Sequence, residues 1–223
     1  MMTNLFSVFD PSTSQSLSLN WMMSLLILVF FAPIIWKIPS RPMMIIKKTN
    51  TFIFQEFKTV LGGTQPNFVL IFMTSTMLFI LINNIMGLFP YTFTSTSHMV
   101  TTLSMSLPLW VAFMLMGWFN NTKHMLAHLV PQSTPPVLMP FMVLIESISN
   151  LIRPFTLAIR LSANMIAGHL LMTLLGEQAS SNMSPVLLMI LIVQFCLLTL
   201  ESAVAMIQSY VFTILTTLYA SEL

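Results

Sequence analysis

Residues 141–176 read FMVLIESISNLIRPFTLAIRLSANMIAGHLLMTLLG. The run is apolar enough for a bilayer, yet it carries Glu146, Arg153, Arg160 and His169. Ionisable groups at membrane depth are costly, and by default they mark an ion path or a binding site. Glu146, Arg153 and Arg160 recur every seven residues. At 3.6 residues per turn, such a step returns to one face with only about 20° of drift. His169 lies nine residues beyond Arg160 and therefore half a turn away. The stretch predicts a membrane helix with a charged stripe on one side and an imidazole on another.

The rest of the chain agrees with a membrane setting. Hydrophobic residues make up 56% and charged residues 6% of its 223 positions, and the mean hydropathy is +0.88. A soluble domain carries roughly 25% charged residues. An all-α integral membrane protein is expected, with about five spans plus a surface helix and no separate soluble domain. The net charge of +2 is too small to suggest nucleic acid, and the basic residues are not interleaved with aromatics as a stacking surface needs. The single Cys196 sits in an apolar run without a ligand-spaced partner and reads as packing. No basic residue precedes Lys37, so neither a secretory signal nor an Arg-rich transit peptide is expected.

Outward from the opening stretch, the spans fall at 17–36, 68–89, 100–119, 137–176 and 185–219. Five of the eight basic residues (Lys37, Arg41, Lys47, Lys48 and Lys58) lie in the loop after the first span. The positive-inside rule puts that loop on the cytoplasmic-type side. Its centre, 43–60, mixes apolar with basic residues as a helix lying on the membrane surface would. Gly62, Gly63 and Pro66 break the chain before the second span, and Pro90 stops it. TFTSTSH forms a polar turn, and Lys123 returns the next loop, NNTKHMLAHLVPQSTPP, to the inside. The N-terminus is then outside and the C-terminus inside.

The last two segments are different. Segment 137–176 would be about 60 Å long and 185–219 about 52 Å at 1.5 Å per residue, both too long to stand upright in a ~30 Å core. Their ends are apolar, which favours steep inclination over protrusion. Pro154 can kink the first. EQASSNMSP between them carries Glu177 and no positive charge, so it faces outside and the pair forms a hairpin.

The second long helix has a heptad stripe of its own in Gln194, Glu201 and Gln208, with small Ser202, Ala203, Ala205 and Ser209 beside it. One hairpin register levels His169 with Glu201, Arg160 with Gln208, and Glu146 with Glu222. This gives two polar pockets, one near each surface, with Arg160 between them. Arg160 cannot shed its proton, and no carboxylate of this chain is well placed for it. A carboxylate on another chain is the simplest remedy for a buried unpaired charge. Asn83 and Asn84 either line a channel or hydrogen-bond between helices. His98 reads as solvated or interfacial. His124 and His128 are four apart, but HMLAH lacks the glutamate of a zinc-protease motif, so no metal or cofactor is expected. A redox subunit holding haem would need His pairs at membrane depth. A secondary transporter would show related halves with matching broken helices. Neither pattern is present.

LAIRLSANMIAGH at 157–169, with IESISNLIRP before it and LESAVAMIQSYVFTILTTLY after it, resembles the signature of the F-type ATP synthase a-subunit family in its mitochondrial form. NNIMGLFPYTFT and LSMSLPLW extend the resemblance over the whole chain, and twenty-one Met residues resemble mitochondrially encoded proteins. The resemblance implies a stator beside a rotating c-ring, in the mitochondrial inner membrane, with peripheral-stalk subunit b and other small Fo subunits as neighbours. It implies no nucleotide chemistry in this chain. The family's essential arginine falls on Arg160, with Gln208 near it and Asn164 a further motif position. Its proton-path residues fall on His169 and Glu201 towards the intermembrane space, and on Glu146 and Glu222 towards the matrix. Gln194, Asn83 and Asn84 are candidate channel lining. Bacterial relatives usually carry a carboxylate where this chain has His169 and an imidazole where it has Glu201. Arg153 has no role implied.

Overall fold

A computed structural model describes residues 5–13, 17–26, 40–62, 67–89, 92–120, 122–130, 135, 138–181 and 185–221. The helices are α1 (Arg41–Val60), α2 (Asn67–Gly87), α3 (Met99–Asn120), α4 (Thr122–His128), α5 (Met139–Ser181) and α6 (Pro185–Ser221). Short 3-10 helices occupy Leu5–Phe9, Leu19–Leu26 and Ser95–Ser97. Among the described residues, α2, α3, α5 and α6 are long and apolar enough to cross a membrane. The chain is an all-α membrane protein.

The expected second and third spans appear as α2 and α3. Of the expected first span, 17–26 is described and contains the 3-10 helix Leu19–Leu26; residues 27–36 lie outside the described residues. Helix α1 spans the segment 43–60, starting with Pro42 in its first turn, where a missing N–H costs nothing. It stops at Gly62, whose φ of 62° is the left-handed conformation that glycine adopts without strain.

Two loops are shorter than expected. Helix α5 runs past Gly176 to Ser181, because Glu177, Gln178 and Ala179 favour continued helix over a turn. The loop after α3 contains the helix α4.

At 43 and 37 residues, α5 and α6 are about 65 and 56 Å long. They pack against each other, α2 lies along α6, α3 along α5, and α1 crosses the ends of α2 and α6. The core joins Phe57 and Leu61 to Met73, Ile80, Leu109, Leu157, Leu161 and Phe212. Pro154 is buried within α5.

Much of this packing is polar. Ser209, Thr213, Thr216 and Thr217 of α6 are buried. Each hydroxyl donates to a carbonyl of its own helix, three or four residues back. Being satisfied, these short side chains can be buried without an unmet donor, and they let helices approach closely. Thr216 also meets the Met73 sulfur at 3.5 Å. The turn before α3 is buried rather than solvated: Ser97 donates to the Thr94 carbonyl, and Thr101 to that of Ser95. Cys196, by contrast, is exposed. It belongs to the apolar outward side of α6 with Phe195 and Leu200, so it does not pack inside the chain.

Candidate functional site

The hairpin of α5 and α6 places the candidate residues at three levels. At the first, His169 Nε2 lies 3.9 Å from Glu201 Oε1. That is within ion-pair reach but beyond hydrogen-bond length, and neither atom has a hydrogen-bond partner among the described residues. Glu201 is 7% exposed. The imidazole faces the Gly87 carbonyl and meets the Phe9 ring edge-on at 6.3 Å between centroids.

The pair borders an open cleft of about 730 Å³, which Asp10, Ser12, Asn20, Thr173 and Gln194 also line. Asp10 accepts the Ser12 backbone N–H at 3.0 Å. That bond, helped by the Ser12 hydroxyl, holds the Asp10 carboxyl below the ordinary carboxylate range.

The glycine before His169 makes this level possible. A Cβ on Gly168 would overlap the Glu201 carboxylate, with the carboxyl carbon 2.6 Å away. Glycine inside a helix is destabilising relative to alanine by roughly 0.5–1 kcal/mol, and here it lets a buried carboxylate lie on the neighbouring helix.

At the second level, Arg160 and Asn164 are exposed, one turn apart on α5. Gln208 is buried. Arg160 and Gln208 share a crevice with Leu157, Leu161, Val211 and Phe212 that has no room for water. No carboxylate among the described residues pairs with Arg160. Exposed Ile159, Ala163 and Ala167 flank it, so a permanent charge stands on an apolar, small-residue surface of the chain.

At the third level, Arg153 reaches Glu146 at 3.6 Å. Its guanidinium also lies over the Tyr219 ring of α6, 5.1 Å from the centroid. Glu222 lies outside the described residues. Contacts of His169 with Glu201, of Arg160 with the Gln208 crevice and of Arg153 with Tyr219 fit one constant hairpin register, the one the two polar stripes require.

Asn84 is 1% exposed and donates to the Ala205 carbonyl at 3.4 Å, so it bonds between helices. Asn83 accepts from Ser95 at 3.3 Å and lines a separate small cavity. His98 is half-buried, its ring tilted against those of Trp21 and Phe93 at 5.3 and 5.2 Å between centroids. The His124 and His128 side chains lie outside the described residues.

Residues 15–221 match the family described as ATP synthase A chain. The chain belongs to this family. Similar proteins named ATP synthase subunit a include that of Drosophila mauritiana, 58% identical over 222 residues. Those of Locusta migratoria and Aedes aegypti are each 57% identical, over 223 and 224 residues. Each comparison covers 100% of this chain and 99% of the relative.

Two features of the site are not evident from the sequence. One is Gly168: a small residue inside a membrane helix reads as packing, and only its position beside a titratable residue hints at more. The other is the Glu146–Arg153 pair with Tyr219. Its signal was the seven-residue spacing, which two long side chains can bridge across two turns.

Proposed function

We propose that this chain is the proton-translocating stator subunit of ATP synthase, in the mitochondrial inner membrane, with its N-terminus towards the intermembrane space and its C-terminus towards the matrix. The family and its relatives named ATP synthase subunit a support that role. The partner is a ring of c subunits, each carrying a carboxylate that docks on the Arg160 face. Stalk subunit b and other Fo subunits cover further apolar surface, and α1 lies on the matrix surface with α5 and α6 steeply inclined.

A proton enters the cleft, passes His169 and Glu201, and moves to a ring carboxylate. Neutralised, that group can turn into lipid, which a carboxylate could not do cheaply. After nearly a full turn it reaches the level of Glu146 and Glu222, where the proton leaves for the matrix. Arg160 favours the deprotonated ring carboxylate by charge attraction. Because it keeps its own proton, it also bars direct transfer between the two half-channels. Gln208, Asn164 and Gln194 assist by hydrogen bonding to water and to these groups, while Asn84 holds α2 to α6.

The observation that carries this reading is Arg160 itself. It is exposed without an acidic partner among the described residues, and it lies between the His169–Glu201 cleft and the Glu146 end of the hairpin. Arg160→Ala in the assembled enzyme should abolish ATP-driven proton pumping and coupled ATP synthesis. Normal pumping by that variant would overturn the assignment.

A further inference from the structure

The run NNIMG at 83–87 ends α2, and its last turn touches both long helices beside the His169–Glu201 pair. Asn84 donates to the Ala205 carbonyl of α6 at 3.4 Å, one turn from Glu201. On the other side, Gly87 lies against Met165 of α5, one turn from His169. A Cβ on Gly87 would stand 2.9 Å from the Thr94 methyl and 3.1 Å from the Met165 methyl. Thr94 and Met165 are themselves buried, so the glycine is wedged between the turn before α3 and α5.

At a helix end the last carbonyls have no partner within the helix. Those of Ile85 and Met86 are taken by the backbone N–H groups of Leu88 and Phe89, and that of Met86 also by the Thr92 hydroxyl. The Gly87 carbonyl faces the His169 imidazole instead. A carbonyl accepts an N–H and offers none, so it orients a ring that has an N–H to give.

We propose that Gly87 is a positioning residue for His169. The last turn of α2, tied to α6 by Asn84 and seated on α5 through Gly87, holds the imidazole with Nε2 turned to Glu201 at 3.9 Å. The inference rests on the proton-path reading of His169 above and adds to it. The pair is about 1 Å short of a hydrogen bond, so neither group locks the other and the direction of the ring needs a third support. A backbone carbonyl supplies that support without a proton of its own to exchange.

The test uses the assembled enzyme in liposomes, with Gly87→Ala and a compensating Thr94→Ser. The serine removes the methyl that the new Cβ would meet and keeps the hydroxyl that bonds Ser97. Two quantities are followed: ATP-driven pumping, and labelling of His169 by diethyl pyrocarbonate relative to the other histidines, measured by mass spectrometry. Gly87→Ala should lower pumping about tenfold, as a displacement of under 1 Å in a working group can. It should also speed labelling of the freed ring. Adding Thr94→Ser should return both to parent values, and Thr94→Ser alone should change neither. Asn84→Ala, which cuts the tie to α6 without adding bulk, should shift both in the direction of Gly87→Ala; His169 labelled at the parent rate in it would overturn the proposal. So would slower pumping by Gly87→Ala with unchanged labelling, no change in either, or a failure of Thr94→Ser to restore them. Faster labelling with normal pumping would instead overturn the proton-path reading of His169 itself, because labelling reports where the ring stands whether or not protons pass it.

Discussion

Two acid–base pairs stand near opposite ends of the hairpin, and they are built differently. His169–Glu201 joins two helices, with side chains only 15% and 9% exposed. Arg153–Glu146 lies within α5, with side chains 30% and 28% exposed. The first pair stops short of a hydrogen bond, and its facing atoms have no hydrogen-bond partner among the described residues. The second is held by an aromatic face as well as by charge. An imidazole and a carboxylate can each take up and give back a proton, whereas a guanidinium keeps its own. The two pairs thus differ in kind: one joins the helices through two groups that can each change charge, and the other holds the Glu146 carboxylate beside a fixed cation.

The largest break in that contrast should come from Gly168→Val. Its Cβ takes space held by the Glu201 carboxylate, so Glu201 must leave His169 or the hairpin must part. Overpacking of this kind costs about 1–3 kcal/mol, and a shift of about 1 Å in a working group can lower a rate about a hundredfold. ATP-driven pumping by assembled Gly168→Val enzyme should fall by about that factor, while ATP hydrolysis by the detached catalytic part should be unchanged. Near-normal pumping would mean that Glu201 does not act from this position.

A smaller effect should follow Arg153→Gln. The pair is part-exposed, so its charge interaction is worth about 1 kcal/mol or less, with about 0.5–1 kcal/mol more from the Tyr219 face. The variant should lower the thermal inactivation midpoint of the complex slightly and slow pumping less than about threefold. Tyr219→Phe, which keeps an aromatic face, should match the parent. If Arg153→Gln stopped pumping as fully as Gly168→Val, Arg153 would belong to the proton path and the contrast would fail.

The fold was legible where hydropathy and length decide it, as in α2, α3 and the two long helices. Helix ends were less so, because Glu177 to Ala179 are polar enough for a loop and helical enough to continue α5. The hairpin register was legible because one pairing of the two helices levels His169 with Glu201 and Arg160 with Gln208 together. Burial of the turn at Thr94–Ser97 was not. The Thr94 and Ser97 hydroxyls bond to each other and to the local backbone, and composition alone cannot tell such a turn from a solvated one. The place of His98 between two aromatic rings was not legible for a similar reason, since its neighbour Trp21 is far away in sequence. Glycine at 168 acts through the space it leaves free, which only a neighbouring helix reveals.

The smallest effect should come from Asp10, at the rim of the cleft that holds the exchanging pair. Its carboxyl is held below the ordinary carboxylate range by the Ser12 N–H. The folded value is thus the lower one. Whatever this bond adds to the local turn is fully present above the ordinary carboxylate pKa and is lost as pH falls through the lowered value. At neutral and mildly acidic pH Asp10 therefore stays charged and can draw cations towards the cleft without binding them. Such attraction is screened within about 8 Å at 0.15 M salt. Asp10→Asn should accordingly slow proton uptake less than about twofold at low salt and not measurably at 0.15 M. A loss of about tenfold that persists at every salt concentration would mean that screening is irrelevant. Asp10 would then hand protons on directly, and the exchanging end of the hairpin would hold three groups rather than two.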